Sequence, residues 1–393
     1  MKIKIGLVFV LVFCMVFSYH PFFIREKGMQ IENVLSLPVM IIFILTFLLS
    51  FSIKTIFDSK QIGVTIVLSG FFFLTILLLY SLGYSVESKS NILPLIIIIA
   101  AMMIGWQLDL SEKQYKFILV FFGCMTLFVT ASQIFFYIGA LVIEDLYLAY
   151  GKNALGCIVA STTIIFLLLS MKKGDGKLLS VFFMALSILT FIFLLTIRAR
   201  TAALMTILMF IFIVYKKFAS KKRNIFLSFS LTLVLLFVVY LLLPEIAKNY
   251  IYNSFFQRRE FDITTGRIER NMMAIDFLKD NLFFGNIKGI SNVPTVHNYP
   301  LLQTYNFGLV GAFANLALYF YLIYFVIKSL LRVDIFDVKN IGIVLVAISF
   351  GISMAEPTYP FGPGTANVFN FITLGISLRY NMGNNKPKTK LLT

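Results

Sequence analysis

Apolar residues along this chain gather into long runs separated by short polar turns. The runs fall at 5–24, 33–53, 62–83, 91–108, 117–140, 153–171, 178–197, 201–215, 225–243, 300–327, 341–355 and 366–378. That makes twelve, of which the eighth, eleventh and twelfth are short. Crossing roughly 30 Å of hydrocarbon as helix takes about 20 residues, and the runs lack the alternation of a membrane barrel. Backbone groups in lipid have no water to bond to, so helix is the conformation that such runs predict. The expected fold is all-α: a polytopic transmembrane bundle of about 12 helices, forming one integral membrane domain over residues 1–393.

The rhythm of short turns breaks once. Between the ninth and tenth runs lies a polar connection over 244–299, and loops of that length are usually functional or disordered. Within it, Ile268, Met272, Ile275 and Leu278 recur at helical spacing in "TTGRIERNMMAIDFLKDN". The pattern predicts an amphipathic helix, capped by Thr265 or Gly266, that lies on the membrane surface or packs against the bundle.

Composition agrees with the pattern. Hydrophobic residues make up 59% of the chain, charged residues 13%, and the mean hydropathy is +0.91, far from the range of soluble domains. The first run, behind Lys2 and Lys4, has no small-residue cleavage pattern near Ser18 and is read as a spanning helix rather than a signal peptide. Cys14, Cys124 and Cys157 sit in apolar runs without metal-ligand spacing and are read as packing residues.

Charge orients the bundle. An even number of spans puts both termini on one side, and with that side cytoplasmic the inner segments hold 21 of the 34 Lys and Arg residues. Seven of the other basic residues fall in the long loop, which is then extracytoplasmic. The formal net charge of +16 is therefore mostly cytoplasmic, a topology signal with affinity for anionic lipid and not a nucleic-acid surface. The segment 379–393 reads as a polar cytoplasmic tail.

Several residues near the outer boundary carry chemistry. Arg267, Arg270 and Asn271 stand at relative positions zero, three and four of the loop helix, hence on one face of its first turn. Two guanidiniums beside free helix N–H groups suit an anion such as a diphosphate; the alternative is a solvated face with Arg267 paired to Glu269 or an upstream acid. Arg198 and Arg200 join two apolar runs with almost no loop, so they sit at the edge of the bilayer, either snorkelling to headgroups or clamping an anionic ligand. His297, one of only two histidines, stands just before a spanning run on the same side. Its side chain suits acid and base work near neutral pH. Glu356 is the only acid in the last outer turn. No metal-ligand spacing surrounds either histidine, and Gly362-Pro363-Gly364 lacks the strand and the Lys-Ser/Thr of a phosphate loop.

Taken in order, "KNALG" at Lys152–Gly156, "ARTAAL" with Arg200, "TGRIERNMMAIDFLKDNLFFG" and "HNYPLLQTYNFGLVGAF" form a set. Over about 150–378, the chain resembles the O-antigen polymerase and O-antigen ligase superfamily of bacterial envelope enzymes. The resemblance implies a GT-C-like membrane fold and an inverting, metal-independent glycosyl transfer, without a cofactor, on the extracytoplasmic face of the cytoplasmic membrane. Donor and acceptor would be oligosaccharides on polyprenyl (undecaprenyl) diphosphate, with a flippase and a chain-length regulator of the same pathway as partners beside the lipid bilayer. Carried over, the functional residues are Arg200, Arg267 and His297, with Arg198, Arg270, Asn298, Tyr299, Asn153 and Glu356 expected to bind substrate. Two departures bear on specificity: Asn271 stands where the family usually has an aromatic, and "NLFFGNIKGI" loosens a proline-and-glycine element. A surface polysaccharide polymerase is the expected function. A ligase acting on another acceptor, a lipid-linked oligosaccharide flippase and a structural membrane scaffold are the competing readings. Spanning runs nearly free of charge speak against the flippase.

Overall fold

The structure is a computed structural model that describes residues 2–27, 30–81, 89–139, 152–172, 174, 176–197, 199–219, 266–287, 296–356, 360–361 and 364–384. The chain is helical: α1 (Lys2–Phe17), α2 (Ser36–Ser50), α3 (Ile53–Asp58), α4 (Lys60–Ser81), α5 (Lys89–Gln107), α6 (Glu112–Gly139), α7 (Lys152–Ser170), α8 (Lys177–Thr196) and α9 (Arg200–Ala219) are followed by α10 (Arg267–Asn281), α11 (Tyr299–Arg332), α12 (Ile341–Ser353) and α13 (Thr365–Asn384). Each apolar run coincides with a helix except the ninth, 225–243, which lies outside the described residues, as does much of 244–299. Among the described residues, five helices are long and apolar enough to cross a membrane by length and composition: α4, α6, α7, α8 and α11. Shorter apolar helices accompany them at Ile3–Phe17, Ser36–Ser50, Leu93–Gln107 and Val338–Ser353.

Three boundaries differ from the sequence reading. The first helix stops at Phe17 instead of continuing to 24, because Pro21 has no N–H for a helical ladder and His20 accepts the Phe22 N–H through Nδ1 at 3.2 Å, starting a single turn. A small antiparallel hairpin follows, β1 (Ile24–Lys27) with β2 (Gln30–Asn33), a local exception in an otherwise all-helical chain. At the other end, α13 continues through Arg379 to Asn384, inside the segment read as tail, where Arg379 donates to the Trp106 carbonyl at 3.0 Å and pairs with Asp109 at 3.6 Å. The short helix α3 occupies what reads as a turn between the second and third runs.

At the centre stands α7, buried along nearly all its length and packed by α6, α8, α9, α12 and α13. A buried amide ties three of these together: Asn370 donates to Ser161 at 3.2 Å and to Ser349 at 3.0 Å. Such interhelical bonds and small residues hold helices where burial against lipid gives little drive. Around this core, α2, α4 and α8 expose rows of Leu, Ile and Phe outward, the surface a helix presents to hydrocarbon.

One feature links the loop to the bundle. Helix α11 is interrupted at Gly308, whose φ of 63° and ψ of −177° leave the helical region. The backbone groups freed by the break are taken by the chain that leaves α10: Leu309 N–H donates to the Leu282 carbonyl at 2.9 Å, Val310 N–H to that of Phe283 at 3.1 Å, and Asn286 N–H to that of Tyr305 at 2.7 Å. Gly285, itself at φ 57°, makes the matching turn. A Cβ on Gly308 would run into the Phe283 backbone, so the seam depends on glycine for both conformation and space. Substituting Gly308→Ala is expected to cost at least about 1–2 kcal/mol from the left-handed backbone alone, and more from the clash. It should lower the unfolding midpoint of the detergent-solubilised protein and speed proteolysis around α10; Gly6→Ala, with open space at its Cβ, should do neither.

Candidate functional site

Helix α10 begins at Gly266, which holds φ 75° and turns the chain into the first helical residue, while Thr265 lies outside the described residues. Docked at its C-terminal end by the Gly308 seam, α10 buries Ala274 and Leu278. Ala274 packs in a small cluster with Val296 and Tyr305. Ile268, Met272 and Ile275 face outward instead, so of the apolar positions in the repeat only Leu278 meets the bundle. The face carrying Arg267, Arg270 and Asn271 turns inward, to the end of the bundle where α7, α9 and α11 begin and α12 ends.

Arg267 is not paired with Glu269. Its Nη2 bonds Glu356 Oε1 at 2.6 Å, and its Nη1 donates to the Ala355 carbonyl at 2.8 Å and to Thr201 Oγ1 at 3.1 Å. The Arg267 side chain is 23% exposed and that of Glu356 9%, so the pair is largely withdrawn from water. The other carboxylate oxygen accepts from Asn153 Nδ2 at 3.4 Å. Asn153 opens α7 in "KNALG", and the glycine of that stretch has a purpose: a Cβ on Gly156 would strike the side chain of Ala199. Its absence lets the α8–α9 turn rest on the first turns of α7, which brings Arg200 and Thr201 to the same end as Asn153. Arg200 is half-buried there at the start of α9.

One turn further along α10, Arg270 Nη1 meets His297 Nε2 at 3.2 Å, and Asn271 Oδ1 accepts the His297 backbone N–H at 3.1 Å. Burial lowers the pKa of His297 below its ordinary value, and the positive charges of Arg267 and Arg270 lower it further. The imidazole is therefore neutral near pH 7.

Two expected ligand residues have other work. Asn298 caps α11 by accepting the Leu301 N–H at 3.0 Å and donates to the Met354 carbonyl at 3.2 Å, clamping α11 to the end of α12. Tyr299 is the second. It is buried, stacks with Tyr319 at 5.5 Å, and its hydroxyl donates to Asn315 at 3.0 Å. The reason is helical phase: with Asn298 as cap, the first residue of α11 falls on its packed face. Arg198 lies outside the described residues.

The structure thus gathers Asn153, Arg267, Arg270, His297, Asn298 and Glu356 from four separate parts of the chain, with Arg200 next to Thr201 at the same end. Thr201, Asn271 as the His297 anchor and the Ala355 carbonyl are additions. Thr201 had a faint signal, a hydroxyl beside Arg200 at the head of an apolar run; a backbone carbonyl has none. Neither a scan against protein-family models nor a search of curated proteins returns a match to this chain.

Two outcomes follow from this geometry. Removing one partner of a largely buried ion pair costs about 3–5 kcal/mol, because the other charge stays behind uncompensated. Glu356→Ala and Glu356→Gln should therefore both depress the unfolding midpoint, Gln somewhat less because its amide oxygen still accepts from Arg267 although it carries no charge. The double substitution Arg267→Met with Glu356→Met should recover much of the loss, as a thermodynamic cycle of the four proteins would read out.

The second concerns pH. The unfolded chain protonates His297 near its ordinary value of about 6.5, whereas the folded chain does so only at lower pH. Between those two values the unfolded state binds more protons, so stability rises with pH through that window and is flat above it for this group. Thermal unfolding at pH 5 and pH 7 should show a smaller difference in His297→Asn than in the parent, the remainder including His20, whose pKa burial also lowers.

Proposed function

We propose that this chain is a glycosyltransferase that elongates a surface polysaccharide on the extracytoplasmic face of the cytoplasmic membrane. The observation that carries this reading is the meeting of Arg267, Arg270, His297, Asn153 and Glu356 at one end of an apolar helical bundle, beside the start of α9 with Arg200. Charge needed at a bilayer boundary, with apolar helices beneath it, suits a substrate whose reacting phosphates are anchored to lipid.

In the proposed reaction, a hydroxyl oxygen of the acceptor repeat unit attacks the anomeric carbon of the donor glycan. The bond from that carbon to the diphosphate oxygen breaks, polyprenyl diphosphate leaves with the electron pair, and the hydroxyl proton is released to a base. Guanidiniums placed where negative charge grows on the departing diphosphate favour the transition state, by about 3–4 kcal/mol per well-placed donor. His297 and Glu356 are the groups at this site able to deal with the hydroxyl and its proton. With both termini cytoplasmic, the site lies outside, where such lipid-linked units are displayed. The order of "KNALG", "ARTAAL", the loop helix and "HNYP" supports the superfamily assignment, and the looseness of "NLFFGNIKGI" favours a polymerase over a ligase.

The purified protein, incubated with a defined polyprenyl-diphosphate repeat unit in the presence of a chelator, should produce a ladder of longer lipid-linked chains by mass spectrometry. Arg267→Ala and His297→Ala, shown to be folded and inserted, should lose about a hundredfold or more of the rate. Near-parent rates in either would remove that residue from the mechanism, and relocation of units across vesicles without elongation would point to a flippase instead.

A further inference from the structure

The contact between Arg270 and His297 decides which imidazole nitrogen carries the proton. A guanidinium has five N–H donors and no acceptor, so the nitrogen it approaches at 3.2 Å, His297 Nε2, must offer a lone pair. A neutral ring with a bare Nε2 holds its hydrogen on Nδ1. That atom is buried and has no hydrogen-bond partner among the described residues. An unsatisfied buried donor costs about 1–3 kcal/mol, and the backbone that carries the ring is held on both sides. Asn271 holds the backbone N–H, Val296 is fixed in the cluster under α10, and Asn298 caps the next helix.

From this the geometry points to His297 as a hydrogen-bond donor through Nδ1–H toward an anionic phosphate oxygen, with Arg270 as the positioning residue that sets the tautomer. This deepens the glycosyltransfer reading and rests on it for the identity of the ligand. The nitrogen otherwise available to accept a proton is occupied by Arg270, so His297 joins the groups that receive negative charge. Glu356, an acceptor bracketed by Arg267 and Asn153, is then the side chain of this cluster left to take the acceptor hydroxyl's proton. Arg267 and Arg270 surround the imidazole with positive charge, and an anionic oxygen is the acceptor those surroundings favour.

The chain contains only two histidines, and their surroundings dictate opposite tautomers. His20 Nδ1 accepts the Phe22 N–H, so His20 carries its hydrogen on Nε2 and serves as an internal reference. Nitrogen NMR of protein labelled with ¹⁵N-histidine, in detergent at pH 7.5 or above, should therefore show one ring protonated at Nε2 and the other at Nδ1. In Arg270→Met the His297 signals should move toward the Nε2–H form while those of His20 stay. Two Nε2–H rings in the parent protein would overturn the proposal. So would His297 signals indifferent to Arg270→Met while the His20 signals confirm an intact fold. Inorganic pyrophosphate should shift the His297 Nδ1–H resonance in the parent, and no shift at saturating pyrophosphate would overturn the assignment of a phosphate ligand.

In the elongation assay, His297→Asn, whose amide nitrogen can occupy the Nδ1 position, should retain more turnover than His297→Gln, whose amide reaches the Nε2 position. The Gln variant should lose about a hundredfold or more; the opposite order would overturn the donor role. The tautomer measurement needs no substrate, so its failure and a failure of the glycosyltransfer reading are told apart.

Discussion

When a helix inside an apolar bundle is broken, the N–H and C=O groups it releases must find partners, since each one left bare in hydrocarbon costs several kcal/mol. At Gly308 those partners come from one place only, the backbone that leaves α10. The break is in that sense half of a two-part joint, and α10 is held by main-chain bonds rather than by its modest apolar contacts. Everything at the site follows from this. With the C-terminal end of α10 anchored against α11, its first turn is carried across the end of the bundle, and Arg267 and Arg270 reach α9, α12 and the head of α11 together.

Among the described residues, the electrostatics of the site are those of an unbalanced cluster. One carboxylate, Glu356, stands against Arg267, while Arg270 leans on an imidazole that its own charge helps keep neutral. A bound anion would complete this arrangement, although local movement would be needed for it to meet the buried His297 Nδ1. Asn298 shows how the fixing is done: a residue that reads as a ligand from its place beside His297 instead spends its amide on holding two helices in register.

Much of the bundle was legible in the sequence because spanning helices announce themselves by length and apolarity alone. The face of Arg267, Arg270 and Asn271 was legible for the same kind of reason, since helical periodicity fixes which side chains share a side. Their partners were not. Glu356 lies 89 residues from Arg267 and 203 from Asn153, and no local pattern relates them. Tyr299 was grouped with His297 from adjacency in sequence, and its burial behind the cap at Asn298 is a matter of helical phase that adjacency does not reveal. The hairpin after α1 escaped notice because Pro21 sits inside what is otherwise an apolar continuation.

The Arg267–Glu356 pair also has a place in time. Synthesis delivers Asn153 before Thr201, the Arg267 guanidinium 66 residues after Thr201, and the Glu356 carboxylate 89 residues later still. Until then the loop helix carries a cation whose counter-charge does not yet exist, and the head of α9 waits with it. The ion pair is therefore closed only once residue 356 has been made. A chain cut before residue 356 can contain α7, α9 and α10 and still lack the carboxylate that holds Arg267, so the loop helix would rest on the bundle without its ion pair.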